Sequence, residues 1–530
     1  MKKLLCALIS AAMLTGCAGA PAQTSRPPES VSAGDFESKW ADSDFVRIQL
    51  EGTMPAVTLP AGAPENAVTI GNDIIYYEEG QGEDYGEGEA GEAHSAEEAD
   101  RHTVVHINAP GTYVLTGSLS AGQIAVDLGE NAKDDPSAVV TLILDGLDIT
   151  CTVAPAIIFY NVYESGEPGG SAGASVILAE GSVNNVTGSH VAKIYKPGTE
   201  DKLHKYDGAF YSRMSLSMDG TGALNITADN EGLDSEMHLT INGGDISIRS
   251  GNDGINTNAD GVSVTTVNGG HLKIHVTGET GEGDGIDSNG SLVINGGTVQ
   301  AFACGTSGDA GIDSDMGISI NGGTVCATGN MLDRIADGSQ THAVFTFADT
   351  QQPGSYTLKD ASGNSVLECQ ASNAFRYLIL SSPELTEGSY TLWSGDTQFE
   401  GVTGTGGGFF GQLEPIDRPE RPGGGGDVEI PPQPTQPIVT HGTVLEPPTG
   451  DRPADMPVPQ LPEGSEGQMP VPPMPADGED MPVPVLPDGV EPSKGGFGRQ
   501  PIDTIVVGTL STDFPVTAGA NYFTNVRPVE

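Results

Sequence analysis

Acidic residues recur in this chain at a spacing that could hold a hard cation. Asp229-Asn230-Glu231-Gly232-Leu233-Asp234, Gly251-Asn252-Asp253-Gly254-Ile255-Asn256, Gly283-Asp284-Gly285-Ile286-Asp287 and Gly308-Asp309-Ala310-Gly311-Ile312-Asp313 are four spellings of one phrase. Each sets carboxylates about three residues apart across a tight glycine turn. Stacked at the ~4.8 Å spacing of neighbouring strands, such acids repel one another unless a cation with oxygen ligands at about 2.3–2.6 Å lies among them. Calcium is therefore expected between successive copies, on Asp229, Glu231, Asp234, Asp253, Asp284, Asp287, Asp309 and Asp313. Asn256 stands where one copy lacks its second acid and is counted with them. Asp and Asn also favour turns and tolerate left-handed backbone, so the phrase alone does not decide. Neither the EF-hand spacing nor the nonapeptide calcium repeat is matched closely.

The elements that must position these acids are legible in the same stretch. After each phrase come a short alternating apolar run and Asn-Gly-Gly, at Asn242, Asn268, Asn295 and Asn321, spaced 26, 27 and 26 residues apart. A fixed period in the twenties signals stacked repeats. Segments such as Leu239-Thr240-Ile241 and Asp245-Ile246-Ser247-Ile248 alternate at period two, as half-buried strands do. Glycine after Asn or Asp supplies the positive-φ corner. Three short strands and three corners fill one period, which favours a parallel β-helix over a propeller or a leucine-rich repeat. Leu233, Ile255, Ile286 and Ile312 are expected to form an inward aliphatic ladder, and the four asparagines an amide ladder.

Composition narrows the classes further. The 530 residues include 72 Asp and Glu against 23 Lys and Arg, a formal charge of −49. That excess argues against nucleic acid as a partner, since its binding needs clustered cations. At the N-terminus, Lys2-Lys3, an apolar run from Leu4 to Met13 and Leu14-Thr15-Gly16-Cys17 resemble a bacterial lipoprotein signal. By that resemblance Cys17 is lipidated and tethers an extracellular protein to the outer face of the cell membrane. A secretory peptide with an incidental cysteine is the alternative. No later stretch approaches the ~20 apolar residues of a membrane span. Cys151, Cys304, Cys326 and Cys369 show no Cys-x-x-Cys spacing, which speaks against zinc and redox sites. Cys304 and Cys326 could meet on adjacent repeats; buried thiols are the expectation.

In chain order, 1–17 is the signal and 18–35 a tether. Residues 36–337 are the β-helix, broken at 78–100 by a run holding ten acids that reads as a disordered insertion. Strand patterns at 338–404, including Ala343-Val344-Phe345-Thr346-Phe347 and Tyr390-Thr391-Leu392-Trp393, form a small β-sandwich cap over the open end. Residues 405–500, with three copies of Met-Pro-Val-Pro, read as an extended Gly/Pro-rich segment. Residues 501–530 are strand-like again and could complete the cap.

Taken together, "LILDGLDIT…APAII", "SVILAEGSVNNVTG", "DGAFYSRMSLSMDGTGALNITADNEGLDS" and "DGIDSNGSLVINGGTV" resemble a bacterial family of extracellular carbohydrate-binding β-helix proteins. The similarity spans roughly 36–404. It implies an all-β, right-handed parallel β-helix of pectate-lyase-like form with a β-sandwich cap, calcium between coils, and binding of cellulose-like or polygalacturonate-like polysaccharides without established catalysis. The acids at 253, 284, 287, 309 and 313 match the family's calcium-bearing corners. Asn256 and the looser "DGVSVTTVNGG" depart from the pattern and weaken any site that uses that coil. Arg249, His271 and Lys273, on strands, are candidate sugar-reading side chains, though ordinary surface decoration explains any one of them as well. The expected protein is a monomeric, non-catalytic binder. A calcium-dependent polysaccharide lyase, for which Arg249, Lys273 or Lys202 would have to serve as base, and a surface adhesin are the alternatives.

Overall fold

The computed structural model of the chain describes residues 45–51, 54–74, 94–170, 172–195, 202–404 and 509–529. Cys17, the tether, the Pro-rich segment and most of the acidic insertion lie outside them. The described chain is nearly all β. Its α-helix is the single turn Ala96–Ala99.

Three parallel ladders carry the repeats. In the first, Gly208–Ser212, Glu231–Ser235, Ile255–Thr257 and Ile286–Ser288 pair in sequence order within an eight-stranded sheet. This corner ladder holds the acidic phrases. The second runs through Leu216–Gly220, Leu239–Ile241, Val264–Val267, Ser291–Ile294 and Ile318–Ile320. The third stacks Val183–Gly188, Ala223–Ala228, Asp245–Ser250, His271–Val276, Thr298–Phe302 and Thr324–Gly329.

Inward residues repeat rung by rung and fill one continuous core. Leu233, Ile255, Ile286 and Ile312 are fully buried, as are Ile246, Ile274, Val299 and Val325 from the third ladder. Burial of each such side chain contributes about 1.5–3 kcal/mol. The expected amide ladder also forms. Asn268, Asn295 and Asn321 each donate Nδ2 to Oδ1 of the asparagine one rung earlier, at 2.9, 2.8 and 2.8 Å.

Sterics explain both glycines that follow each asparagine. A Cβ on Gly269, Gly296 or Gly322 would sit 2.6, 2.5 or 2.4 Å from the carbonyl oxygen of the asparagine one rung before it. Gly270, Gly297 and Gly323 have φ of 81°, 78° and 82°, which L side chains rarely adopt.

Antiparallel strands stop the stack at both ends. Val68–Gly71 lies antiparallel on Thr103–Ile107, and Phe375–Ser381 antiparallel on Thr324–Gly329. The latter belongs to a C-terminal β-structure with its own aromatic core, in which Phe345, Phe347, Phe375, Phe514 and Phe523 are buried. Phe514–Val516 pairs with Gly388–Ser394, and Ala520–Pro528 with both His342–Gln351 and Thr397–Gly404.

Two local expectations are corrected. Residues 94–100, expected to end the disordered insertion, instead include a defined turn of helix. Their turn of helix is held by Thr152 Oγ1 donating to Glu98 Oε1 at 3.1 Å and Thr152 N donating to His102 Nε2 at 3.2 Å. Cys326 is not a thiol either, for it forms a disulfide with Cys369 that joins the last rung to the C-terminal strands. Cys151 and Cys304 stay free and buried.

Candidate cation column and glycan face

The corner ladder gathers carboxylates because Asp-Gly and Glu-Gly recur in register. Gly232, Gly254 and Gly285 donate N–H to the carbonyls of Asp253, Asp284 and Ala310 at 2.9, 3.0 and 3.0 Å. Glu231, Asp253 and Asp284 therefore occupy equivalent places on successive rungs. Only glycine fits after them, since a Cβ on Gly254 would meet the Gly285 carbonyl oxygen at 2.6 Å. Ala310 takes the fourth place, and Asp309 stands one residue earlier. The second acid of the phrase forms its own row, Asp234, Asn256, Asp287.

The column is buried in its first rungs and half-buried at Asp284, Asp287, Asp309 and Asp313. Glu231, Asp234, Asp253 and Asn256 are 1%, 0%, 9% and 6% exposed. Asp253 Oδ1 accepts from Asp284 N at 2.6 Å, Asp284 Oδ1 from Ala310 N, and Asp309 Oδ2 from Gly283 N at 2.6 Å. Asn256 Nδ2 donates to Glu231 Oε1 at 3.1 Å, and Asn258 Nδ2 to Asp234 Oδ1 at 2.9 Å. Asn256 Oδ1 is buried and accepts no hydrogen bond.

Electrostatics follow from this packing. Burial, then the charges of Glu231 and Asp287, raise Asp253 well above the usual carboxylate range. Burial, then Asp253 and Asp313, do the same to Asp284. Asp287 is pushed up to about 7 by burial, Asp313 and Glu231. Burial also raises Asp313, and it pushes Asp333, which hydrogen-bonds Asp313, up to about 7. The charges acting most strongly on these groups are other carboxylates, so each favours the protonated form of the next.

An all-oxygen donor set with one orphaned amide oxygen matches the chemistry of a hard cation. Among the described residues, no three Asp, Glu, His or Cys side chains converge on one point.

One expected ligand lies elsewhere. Asp229 accepts from Ser189 Oγ and from His190 N at 3.2 Å, and pairs with the His190 ring at 3.4 Å. The latter contact helps to lower its pKa against the effect of burial. Sequence reasoning in turn passed over Asp207, Asp315 and Asp333. Asp207 is 0% exposed, and its carbonyl accepts Glu231 N at 3.1 Å. The Asp207-Gly208 pair is the signal that could have found it. Asp333 lacks a following glycine and gave none.

The candidate sugar readers sit on the outer face of the third ladder. Register places His271 beside Asp245, Lys273 beside Ser247, and Arg249 beside His275. Arg249 is 54% exposed and faces Glu279 at 3.9 Å, a surface pair that contributes little. Asn185, Asn225, Ser247, Lys273 and Gln300 fall in one row across five strands. Asn225 Nδ2 donates to Asn185 Oδ1 at 3.0 Å.

Comparison with known proteins bears on this region. A family model described as "Carbohydrate-binding domain-containing protein" matches residues 101–353. A protein of that description from Acetivibrio thermocellus is 28% identical over 147 residues, which are 28% of this chain and 45% of the relative. The chain thus spans less than half of that relative's length. A solved structure of a "polysaccharide lyase-like protein from C. thermocellum" aligns with a TM-score of 0.35 at 22% identity, covering 52% of this chain and 88% of that one. Over 101–353, which includes the acid column and the outer row, this chain is similar to carbohydrate-binding domain-containing proteins.

Proposed function

We propose that the chain is a non-catalytic, cell-surface polysaccharide binder. Its frame is a right-handed parallel β-helix with a C-terminal sandwich cap. Calcium in the corner column stabilises that frame, and the outer row of the third ladder carries the glycan. The observation that carries the cation half is the run of buried carboxylates that raise one another's pKa. The carbohydrate half is supported by the description of the family model over the same residues. Right-handedness is favoured because crossovers between parallel strands of one sheet are right-handed in about 98% of cases.

Glu231, Asp253, Asp284, Asp287, Asp309 and Asp313 would hold ions spread along the column, no more than two of these side chains to any one ion. Asn256 Oδ1 would be a neutral ligand, with water or backbone carbonyls completing each shell. Calcium bound there would supply positive charge that offsets the stacked acids. The protein's own part is to fix the outer row. Hydrogen bonding to backbone carbonyls keeps those strands about 4.8 Å apart, so Asn185, Asn225, Ser247, Lys273 and Gln300 offer donors and acceptors at a regular pitch along an extended sugar chain. Lys273 and Arg249 suit a carboxylate on such a chain, a pectin-type ligand, while the amides and hydroxyls suit a cellulose-type one. A lipid at Cys17 would hold this face outside the cell.

Pelleting with insoluble cellulose and with cross-linked polygalacturonate, in calcium and in chelator, tests the reading. The expected result is co-sedimentation without a rise in absorbance from unsaturated uronate. Absorbance growth in calcium would make the protein a lyase, and absence of pelleting on both polymers would leave an adhesin.

A further inference from the structure

We propose a second sugar-contact site on the C-terminal sandwich, a stacking platform at Trp393 for a β-glucan chain. It rests on the reading that the protein binds polysaccharide, and it lies outside the residues matched by the family model.

Alternation along Gly388–Ser394 turns Tyr390 and Leu392 into the aromatic core and Trp393 away from it. On the neighbouring strand, Tyr356 and Leu358 point inward while Thr357 and Lys359 share the outer face. Register builds a row across four strands: Glu368, Thr357, Trp393, Gln398. The indole thus lies half-exposed among side chains that donate and accept hydrogen bonds.

Two contacts show how the ring is presented. Trp393 Nε1 donates to Thr391 Oγ1 at 2.9 Å, so the polar edge is satisfied within the strand. Lys359 Nζ sits 4.6 Å from the ring centroid, so one π-face already holds an electropositive partner, which an incoming sugar would displace along the flexible lysine stem. The axial C–H bonds of a pyranose present such a partner, and the negative face of the indole attracts them. Both faces of the ring are uninterrupted when every ring hydroxyl is equatorial, as in β-glucans. In α-1,4-linked galacturonate each face carries one axial oxygen, O1 or O4, which breaks it. Equatorial hydroxyls then project sideways, toward Thr357, Gln398, Glu368 and the ammonium of Lys359 on its flexible stem.

The chain has two tryptophans, so Trp40→Phe leaves Trp393 as the only indole reporter. Titrating that full-length variant with cello-oligosaccharide should shift its emission to the blue and protect it from acrylamide quenching. Trp393→Ala should weaken pelleting on cellulose about tenfold, with Trp393→Phe in between, polygalacturonate pelleting unchanged, and the thermal midpoints of the variants matching wild type. Emission that stays constant while wild type and Trp393→Ala pellet alike on cellulose overturns the platform and leaves the proposed function standing. A response to oligogalacturonate alone overturns the ligand class. Wild-type protein that pellets on no glycan overturns the proposed function, and the platform with it.

Discussion

Asp287 shows at the scale of one side chain what the corner column costs. It titrates near 7 in the folded chain and would titrate near 3.9 in the unfolded one. The folded state therefore binds the proton more tightly. Between about pH 4 and 7 folding takes up protons, so stability falls as pH rises through that window. In chelator the thermal midpoint should be higher at pH 5 than at pH 8, and calcium should narrow or reverse the gap. A flat midpoint across pH in chelator would count against mutual repulsion. Asp287→Asn removes one charge and keeps the shape. It should raise the midpoint in chelator at pH 8 and reduce the rise produced by calcium, both read by differential scanning calorimetry. At this scale the sequence misleads as readily as it informs. Asp229 and Asp253 sit beside similar Asn and Gly neighbours, yet His190, 39 residues away, takes the first out of the column. No local pattern separates them, because the decision is made by tertiary contact.

The next scale is the corner and the strand. Gly254 follows an acid and faces the next rung so closely that a Cβ would lie 2.1 Å from Ile274 Cγ2. Gly254→Ala should therefore lose about 2 kcal/mol or more, seen as a lower denaturant midpoint. The same steric demand, repeated at every Asn-Gly-Gly, is why the repeat and its strands could be read from the sequence. Links between elements left no such trace. Cys304 and Cys326 are spaced almost like neighbouring rungs, whereas the bond that forms joins Cys326 to Cys369 on the C-terminal strands. Closing a loop of 43 residues stabilises by about 2–4 kcal/mol in the chain-entropy account. Reduction, or Cys369→Ser, should lower the unfolding free energy by that order in a urea titration.

For the whole molecule, the parallel ladders make stability a sum over neighbouring rungs. An ion that binds only the folded stack adds to that sum by mass action. Calcium at a hundred times its dissociation constant should add about 2.7 kcal/mol, and an unchanged melting curve in chelator would remove calcium from the account. The all-β class and the run of the repeats were legible because the period of about 26 residues is written in glycine and asparagine. The turn of helix at Ala96–Ala99 was not, since its anchor, Thr152, lies more than fifty residues further on.

The reversed strands at either end, Val68–Gly71 and Phe375–Ser381, make length an adjustable property of this protein. Ser372 and Asn373, just before the closing strand, hydrogen-bond His275 and Val276, so the removable or repeatable module is the repeat before them, from Asp245 to Gly270. A tandem copy of it should fold, lengthen the outer row by one side chain at a pitch of about 4.8 Å, and extend the contact with a polymer without altering either closure. On the proposed function, the molecule would be a ruler for sugar chains, with stops already fitted at both ends.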